Sequence, residues 1–209
     1  MKVLVIKAHP DTKNSYTLAT LDTFMKAYRQ KNPNDEIVTR DLYAEPVPAT
    51  DNKFFGTWDK QAAGEPLTDA EKADAKKRQE LLDEFVSADK YIVASPMYNY
   101  ALPAELKQYI DVIAIPHATF KYTAQGPVGL LANKKALHIQ ASGGFYHIPD
   151  VSGMPENDYG DEHLKFIFKL FGVTDYTGIF CEGNRTYPDR ADEFLARAQD
   201  EAKKIAETF

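Results

Sequence analysis

The side chains able to do chemistry gather in three short segments, each placed directly after an aliphatic run. The first is His9-Pro10-Asp11-Thr12-Lys13-Asn14, which leads into Ser15-Tyr16-Thr17 at the start of an amphipathic stretch. A helix start offers free backbone N–H groups and a partial positive charge, and hydroxyls in its first turn add donors for an anion. Ser and Thr also favour that place as plain N-caps, so the residue types leave both roles open. The segment lacks the glycine spacing of a triphosphate loop or a dinucleotide turn, which leaves room for a monophosphate held by hydroxyls.

The second segment is Pro96-Met97-Tyr98-Asn99-Tyr100: a thioether, two rings and an amide. Backbone groups in such a turn can read the edge of a flat heterocycle while the side chains cover its face. A turn packed on its own aromatics fits equally well. The third segment is Ser142-Gly143-Gly144-Phe145-Tyr146-His147. Glycine lets backbone approach a ligand closely, although it also suits a plain flexible turn. His9 and His147 raise acid–base chemistry, but neither has a partner at fixed spacing, and a structural or solvent-facing role is expected for both. No HExxH, CxxC or Gly-x-Ser-x-Gly pattern occurs, so metal and serine hydrolase readings find no support and no metal is expected.

Hydrophobic periodicity supplies the elements that must position these segments. It predicts strands over 2–8, 36–42, 90–95, 135–141 and 173–181, and helices over 15–31, 68–88, 104–114, 161–171 and 189–207. Thr68 and Glu71 make a capping box, and Gly172 is a helix stop. Residues 43–66 lose regular pattern amid Pro46, Pro48, Gly56, Gly64 and Pro66, yet hold Phe54, Phe55 and Trp58. A stretch that long and irregular is usually functional. Five alternations of strand and helix imply one α/β domain over 1–209, a five-stranded parallel sheet with helices on both faces. Ligands of such sheets bind beyond the carboxyl ends of the strands, which is where all three segments fall.

Composition narrows the partners. The 209 residues are 44% hydrophobic and 27% charged, which is ordinary for a globular chain. A net charge of −6 repels a phosphate backbone, and Lys76-Lys77-Arg78 and Lys134-Lys135 are too short for a basic stripe, so nucleic acid is not an expected partner. Cys181 stands alone in an apolar stretch and reads as a small buried hydrophobe. No secretion signal and no span long enough for a membrane is found, which points to the cytoplasm.

Taken together, the segments resemble the FMN-dependent NADH:quinone oxidoreductase/azoreductase family, whose members are flavodoxin-like homodimers. The likeness rests on Lys2-Val3-Leu4-Val5, Ser15-Tyr16-Thr17, Ala94-Ser95-Pro96-Met97-Tyr98-Asn99, Leu106-Lys107-Gln108-Tyr109-Ile110-Asp111, Phe120-Lys121-Tyr122-Thr123 with Gly126-Pro127 and Gly129-Leu130, and Ser142-Gly143-Gly144. It implies a flavodoxin-like three-layer sandwich. It further implies FMN bound by His9, Ser15, Tyr16, Thr17, Pro96, Met97, Tyr98, Asn99, Tyr100, Ser142, Gly143 and Gly144. His9 stands where relatives often carry a serine and would donate to the phosphate. Phe120, Tyr122, Phe145 and Tyr146 are the candidates for a wall that stacks the substrate. By the resemblance, NADH or NADPH delivers hydride to the flavin N5 and leaves, and a quinone or aromatic azo compound then takes the electrons. This ping-pong scheme needs no obligatory catalytic side chain. The site would lie at a homodimer interface, with Phe54, Phe55 and Trp58 meeting the partner, covering the flavin or packing on their own sheet. The rival is a flavodoxin-type electron carrier with a protein partner; a flavin-free module and an FAD-using relative are further alternatives.

Overall fold

Lys2-Val3-Leu4-Val5-Ile6-Lys7 carries apolar side chains on both of its faces, so it is stable only inside a sheet covered on both sides. In the computed structural model, which describes residues 1–147 and 157–209, this segment is β1 (Lys2–Lys7), the strand second from one edge. The chain continues through α1 (Tyr16–Lys31), β2 (Glu36–Asp41), α2 (Asn52–Ala63), α3 (Asp69–Ser87), β3 (Lys90–Pro96) and α4 (Ala104–Ile113). It then forms β4 (Phe120–Thr123), β5 (Gly126–Gly129), β6 (Lys135–Ala141), α5 (Tyr159–Phe171), β7 (Asp175–Cys181) and α6 (Ala191–Ala206). The main sheet has the order β2-β1-β3-β6-β7, and every pair in it is parallel. This is the doubly wound flavodoxin-like arrangement expected, with strand order reversing between β1 and β3.

Alternate residues of each central strand feed two separate cores. Leu4, Ile6, Tyr91 and Val93 pack with Phe85, Tyr109, Phe168 and Phe171 of α3, α4 and α5. Val3, Val5, Ile92, Leu137 and Ile139 pack with Leu21, Phe24 and Tyr28 of α1 and with Ala198, Ala202 and Ala206 of α6. The alanines recur every four residues, which lets α6 lie close over the sheet.

The structure corrects the sequence reading in four places. Residues 43–66 are not irregular throughout, because α2 occupies half of them. Asp51 caps it by accepting from the amides of Lys53 and Phe54, and Gly64 ends it in the left-handed region at φ 69°. Residues 120–129, left without an element, form an antiparallel hairpin outside the main sheet. Its Gly126, Pro127 and Gly129 read as loop punctuation in the sequence. The hairpin is pinned to the far end of α5, where the Leu131 amide donates to the Phe171 carbonyl at 2.8 Å. The α5 helix starts two residues early, at Tyr159, behind the N-cap Asp158. The last strand begins at Asp175, and a short 3-10 turn over Pro188–Arg190 precedes α6.

Candidate active site

The strands β1, β3 and β6 lie side by side, so the three chemistry-bearing segments leave the sheet from one edge. Backbone bonds beyond the strand ends stitch the departures together. Ala8 N donates to Ala94 O, Met97 N to Ala141 O, and Ser142 N to Cys181 O, all within 2.9–3.0 Å. The first segment ends in a true N-cap: Ser15 is extended and its Oγ accepts from Leu18 N at 3.1 Å. Thr17, one residue into the helix, is fully buried and its Oγ1 has no partner among the described residues. A buried hydroxyl without a partner costs free energy unless a ligand supplies one. Beside it, the amides of Tyr16 and Thr17 belong to the helix turn that has no internal acceptors. His9 Nδ1 accepts from Asp11 N at 3.1 Å. Burial lowers the His9 pKa, and the backbone bond and charge of Asp11 only partly oppose it. Its neutral form therefore carries the proton on Nε2, as a donor.

The second segment turns sharply. Asn99 and Tyr100 both have positive φ, 49° and 67°, and Tyr98 and Ala101 exchange N–H···O bonds of 3.0 Å across them. Two left-handed residues between a bonded pair make a type I′ turn, which Asn tolerates and Tyr resists. Such local strain persists only where the surroundings hold it. In the third segment, Ser142 Oγ donates to Gly144 O at 3.0 Å. The Gly143 carbonyl accepts from the amides of Arg185 and Thr186 and from Thr186 Oγ1, each at 3.1 Å. A Cβ on Gly143 would stand 2.9 Å from Arg185 Cγ, so only glycine fits against that side chain. Among the described residues no acceptor bonds the amides of Asn99, Gly143 or Gly144. The rings of Tyr100 and Tyr146 meet edge to face at 6.1 Å and close the gap between the second and third segments. The edge thus offers anion donors at one end and unused amides between aromatic rings at the other, a cradle for a flat ring with an acidic tail.

The four wall candidates separate. Tyr146 stands at the crevice. Phe145 is buried against Phe194 and Tyr187, so its ring is part of the core behind the glycine loop. Phe120 is buried and stacks on Phe171 at the far end of α5, and Tyr122 projects from the same hairpin 71% exposed. Because α5 runs against the strands, Phe171 lies near the start of β7, at the edge opposite the crevice. Neither hairpin ring reaches the crevice of its own chain.

Two polar groups lie under the crevice, and of their members only His147 stands out in the sequence. The first joins His147 to Glu182: Nδ1 and Oε1 are 2.8 Å apart, and the carboxylate also accepts the Tyr146 and His147 amides at 3.1 Å each. The ring of His147 stacks on Phe180 at 3.5 Å. Burial alone would lower its pKa, but the bond and charge of Glu182, with Asp158 and Asp161 behind, hold it above the ordinary value. The structural role expected for His147 therefore has a partner, supplied by the segment after β7. The second group is Ser95, His138 and Asp161, a hydrogen-bonded line drawn from β3, β6 and α5. A signal for it was present: in Lys135–Ala141, His138 and Gln140 alternate with Leu137 and Ile139, so one face of a buried strand is polar.

Comparison with known proteins agrees with this architecture. A family model described as "Flavodoxin-like fold" matches residues 1–206. The chain is 46% identical over 209 residues to an FMN-dependent NADH:quinone oxidoreductase of Lactiplantibacillus plantarum, covering 100% of this chain and 99% of that one. It is 45% identical to an FMN-dependent NADH:quinone oxidoreductase of Geobacillus kaustophilus, with the same coverage. Among solved structures it is similar to an FMN-dependent NADH-azoreductase of Bacillus anthracis in complex with FMN, at a TM-score of 0.91 and 34% identity over 98% of this chain and 97% of that one.

Proposed function

Because this chain belongs to the family of FMN-dependent NADH:quinone oxidoreductases and azoreductases, we propose that its crevice holds FMN and passes electrons from NADH to quinones and aromatic azo compounds in a ping-pong cycle. It is an FMN-dependent oxidoreductase. The observation that carries the site assignment is the convergence of donors at one sheet edge: among the described residues, the amides and the Thr17 hydroxyl at the start of α1 and amides on the two aromatic loops have no partner. That donor set fits FMN. The N-terminal turn of α1 with Ser15, Tyr16, Thr17 and neutral His9 would hold the phosphate. Pro96, Met97, Tyr98, Asn99 and Tyr100 would hold one edge of the ring, and Ser142, Gly143 and Gly144 another.

Bound FMN would supply two-electron hydride chemistry between NADH, or NADPH in its place, and the acceptor. The chain's own work is positioning. The I′ turn at Asn99-Tyr100 and the Arg185-backed glycine loop fix backbone donors before any ligand arrives. Tyr146 and Tyr100 form an aromatic wall on which a flat substrate can stack. His147, bonded to Glu182 and held charged more readily than a free histidine, sets a positive charge behind the glycine loop.

The partner proposed to complete the site is a second copy of this chain. Phe55, Trp58 and Tyr122 are 53%, 48% and 71% exposed, and the hairpin that bears Tyr122 serves no crevice of its own chain. The test is direct. Purified protein should be yellow, release FMN on denaturation, and oxidise NADH when menadione is added. Colourless protein that FMN cannot reconstitute ends the proposal, and a yellow protein inert to NADH and NADPH leaves only an electron carrier.

A further inference from the structure

Ser95, His138 and Asp161 come from three elements and make one line beneath the crevice. Ser95 Oγ lies 2.9 Å from His138 Nε2, and His138 Nδ1 lies 2.8 Å from Asp161 Oδ1. The Tyr176 hydroxyl donates to the same Asp161 oxygen at 2.6 Å. Serine, histidine and carboxylate stand in the order of a nucleophilic triad. Ser95 and His138 nevertheless have no exposed surface, so no acyl group can reach the hydroxyl.

The partners dictate where the protons sit. Burial alone would raise the Asp161 pKa, but the hydrogen bonds from His138 and the Tyr176 hydroxyl oppose it, and the carboxyl stays below its ordinary value. An ionised Asp161 can only accept, so in the neutral imidazole His138 carries its proton on Nδ1 and its Nε2 accepts from the Ser95 hydroxyl. That proton arrangement satisfies every member of the line.

Both ends of the second segment bear on this line. Ser95 pairs with Gln140 in the sheet, and Pro96 with Ala141, immediately before the loop departs. The strained Asn99-Tyr100 turn follows within a few residues. At the far side, Ala101 lies against the first turn of α5, where a Cβ on Gly160 would meet the Ala101 carbonyl carbon at 3.2 Å. Asp161 is the next residue, its amide held by Asp158 Oδ1 at 2.9 Å.

We propose that Ser95, His138 and Asp161 are positioning residues: a buried relay that locks the 96–101 loop between β3 and the start of α5, so that its amides are set for the flavin ring. The flavin clause rests on the function proposed above; the loop-locking clause does not, and the experiment separates them. Hydrogen exchange is measured on the apoprotein for the Met97 and Tyr98 amides, which bond to Ala141 and Ala101, against the Val93 amide in the core. Ser95→Ala should speed exchange at Met97 and Tyr98 about tenfold, the scale of one lost net hydrogen bond, and leave Val93 unchanged. Ser95→Thr, which keeps the hydroxyl, should restore protection. Heteronuclear NMR of the wild type should find the His138 proton on Nδ1, and Asp161→Asn should redistribute it. In the flavin-loaded protein, Ser95→Ala should raise the FMN dissociation constant about tenfold with little change in the quinone KM. Wild-type exchange in Ser95→Ala, or a His138 proton on Nε2, overturns the relay. If Asp161→Asn does not fold, the serine variants and the wild-type tautomer still decide. A wild type that never binds FMN defeats the proposed function, while exchange and tautomer still judge the relay.

Discussion

At the scale of single residues, Thr17 separates stability from binding. Its hydroxyl is buried without a partner among the described residues, so Thr17→Val removes an unsatisfied polar atom at nearly constant shape. The apoprotein should lose no stability and can gain up to about 1 kcal/mol, whereas FMN affinity should fall about tenfold. Thermal melting of the apoprotein and a fluorescence titration with FMN measure the two effects. Equal affinity in the variant would show that the phosphate does not use this hydroxyl. The His147–Glu182 pair predicts a pH effect of definite sign. The folded-state pKa of His147 lies above its unfolded value, so its charge stabilises the fold fully below the unfolded pKa. That contribution disappears as pH rises through the folded value. Glu182→Gln should lower the His147 midpoint in an NMR titration and narrow its stability deficit towards alkaline pH. A midpoint that does not move would show that Glu182 leaves the imidazolium unaffected. Thr17 stood out in the sequence as a helix-start hydroxyl; Glu182 did not, because its partners lie 35 and 36 residues away. Contacts between distant segments leave no spacing to read.

At the scale of elements, the sheet and its helices were legible because their apolar periods are clean, as in Lys2–Lys7 and Lys135–Ala141. The α2 helix was not. Its stretch contains Gly56 and is flanked by prolines, and Phe54, Phe55 and Trp58 leave only Thr57 of its residues buried, so no apolar stripe faces the protein's own core. The 120–129 hairpin lacks a strand signal for a related reason: half of β5 is glycine, Gly126 at φ 112° and Gly129 in close approach to α5, neither favoured by strand propensity. That closeness gives a prediction. A Cβ on Gly129 would collide with the backbone of Phe171 and Gly172, where no side-chain rotation can relieve it. Gly129→Ala should therefore cost about 1–3 kcal/mol or more, and amide exchange should quicken in the hairpin and at the end of α5. FMN affinity should stay near wild type, because the crevice lies at the opposite sheet edge. A stable variant would mean the hairpin sits off α5 in solution.

At the scale of the whole molecule, the aromatics of α2 mark one surface. Phe54 and Trp58 of α2 line a groove of about 430 Å³ between α2, α3 and α4, with Leu82, Val112 and Ile115 opposite them, and Phe55 on the same helix is exposed. The α4 helix leads from this groove to the hairpin that carries Tyr122. A contiguous apolar surface rimmed by Asp74, Arg78 and Asp111 is what a protein–protein contact looks like before its partner arrives. A stable interface needs about 800 Å² from each partner, so these few rings must be its anchors rather than the whole of it. The expected species in sedimentation has twice the chain mass of 23.5 kDa. Phe55→Ser with Trp58→Ala should shift it towards the monomer. The proposed FMN donors all belong to one chain, so the monomer should still bind flavin. Acceptor turnover should fall with dissociation, and it should recover as protein concentration rises, if Tyr122 of a second copy completes the wall. A wild-type chain that sediments as a monomer and turns over menadione at the same specific rate at every concentration would place the entire site within one chain.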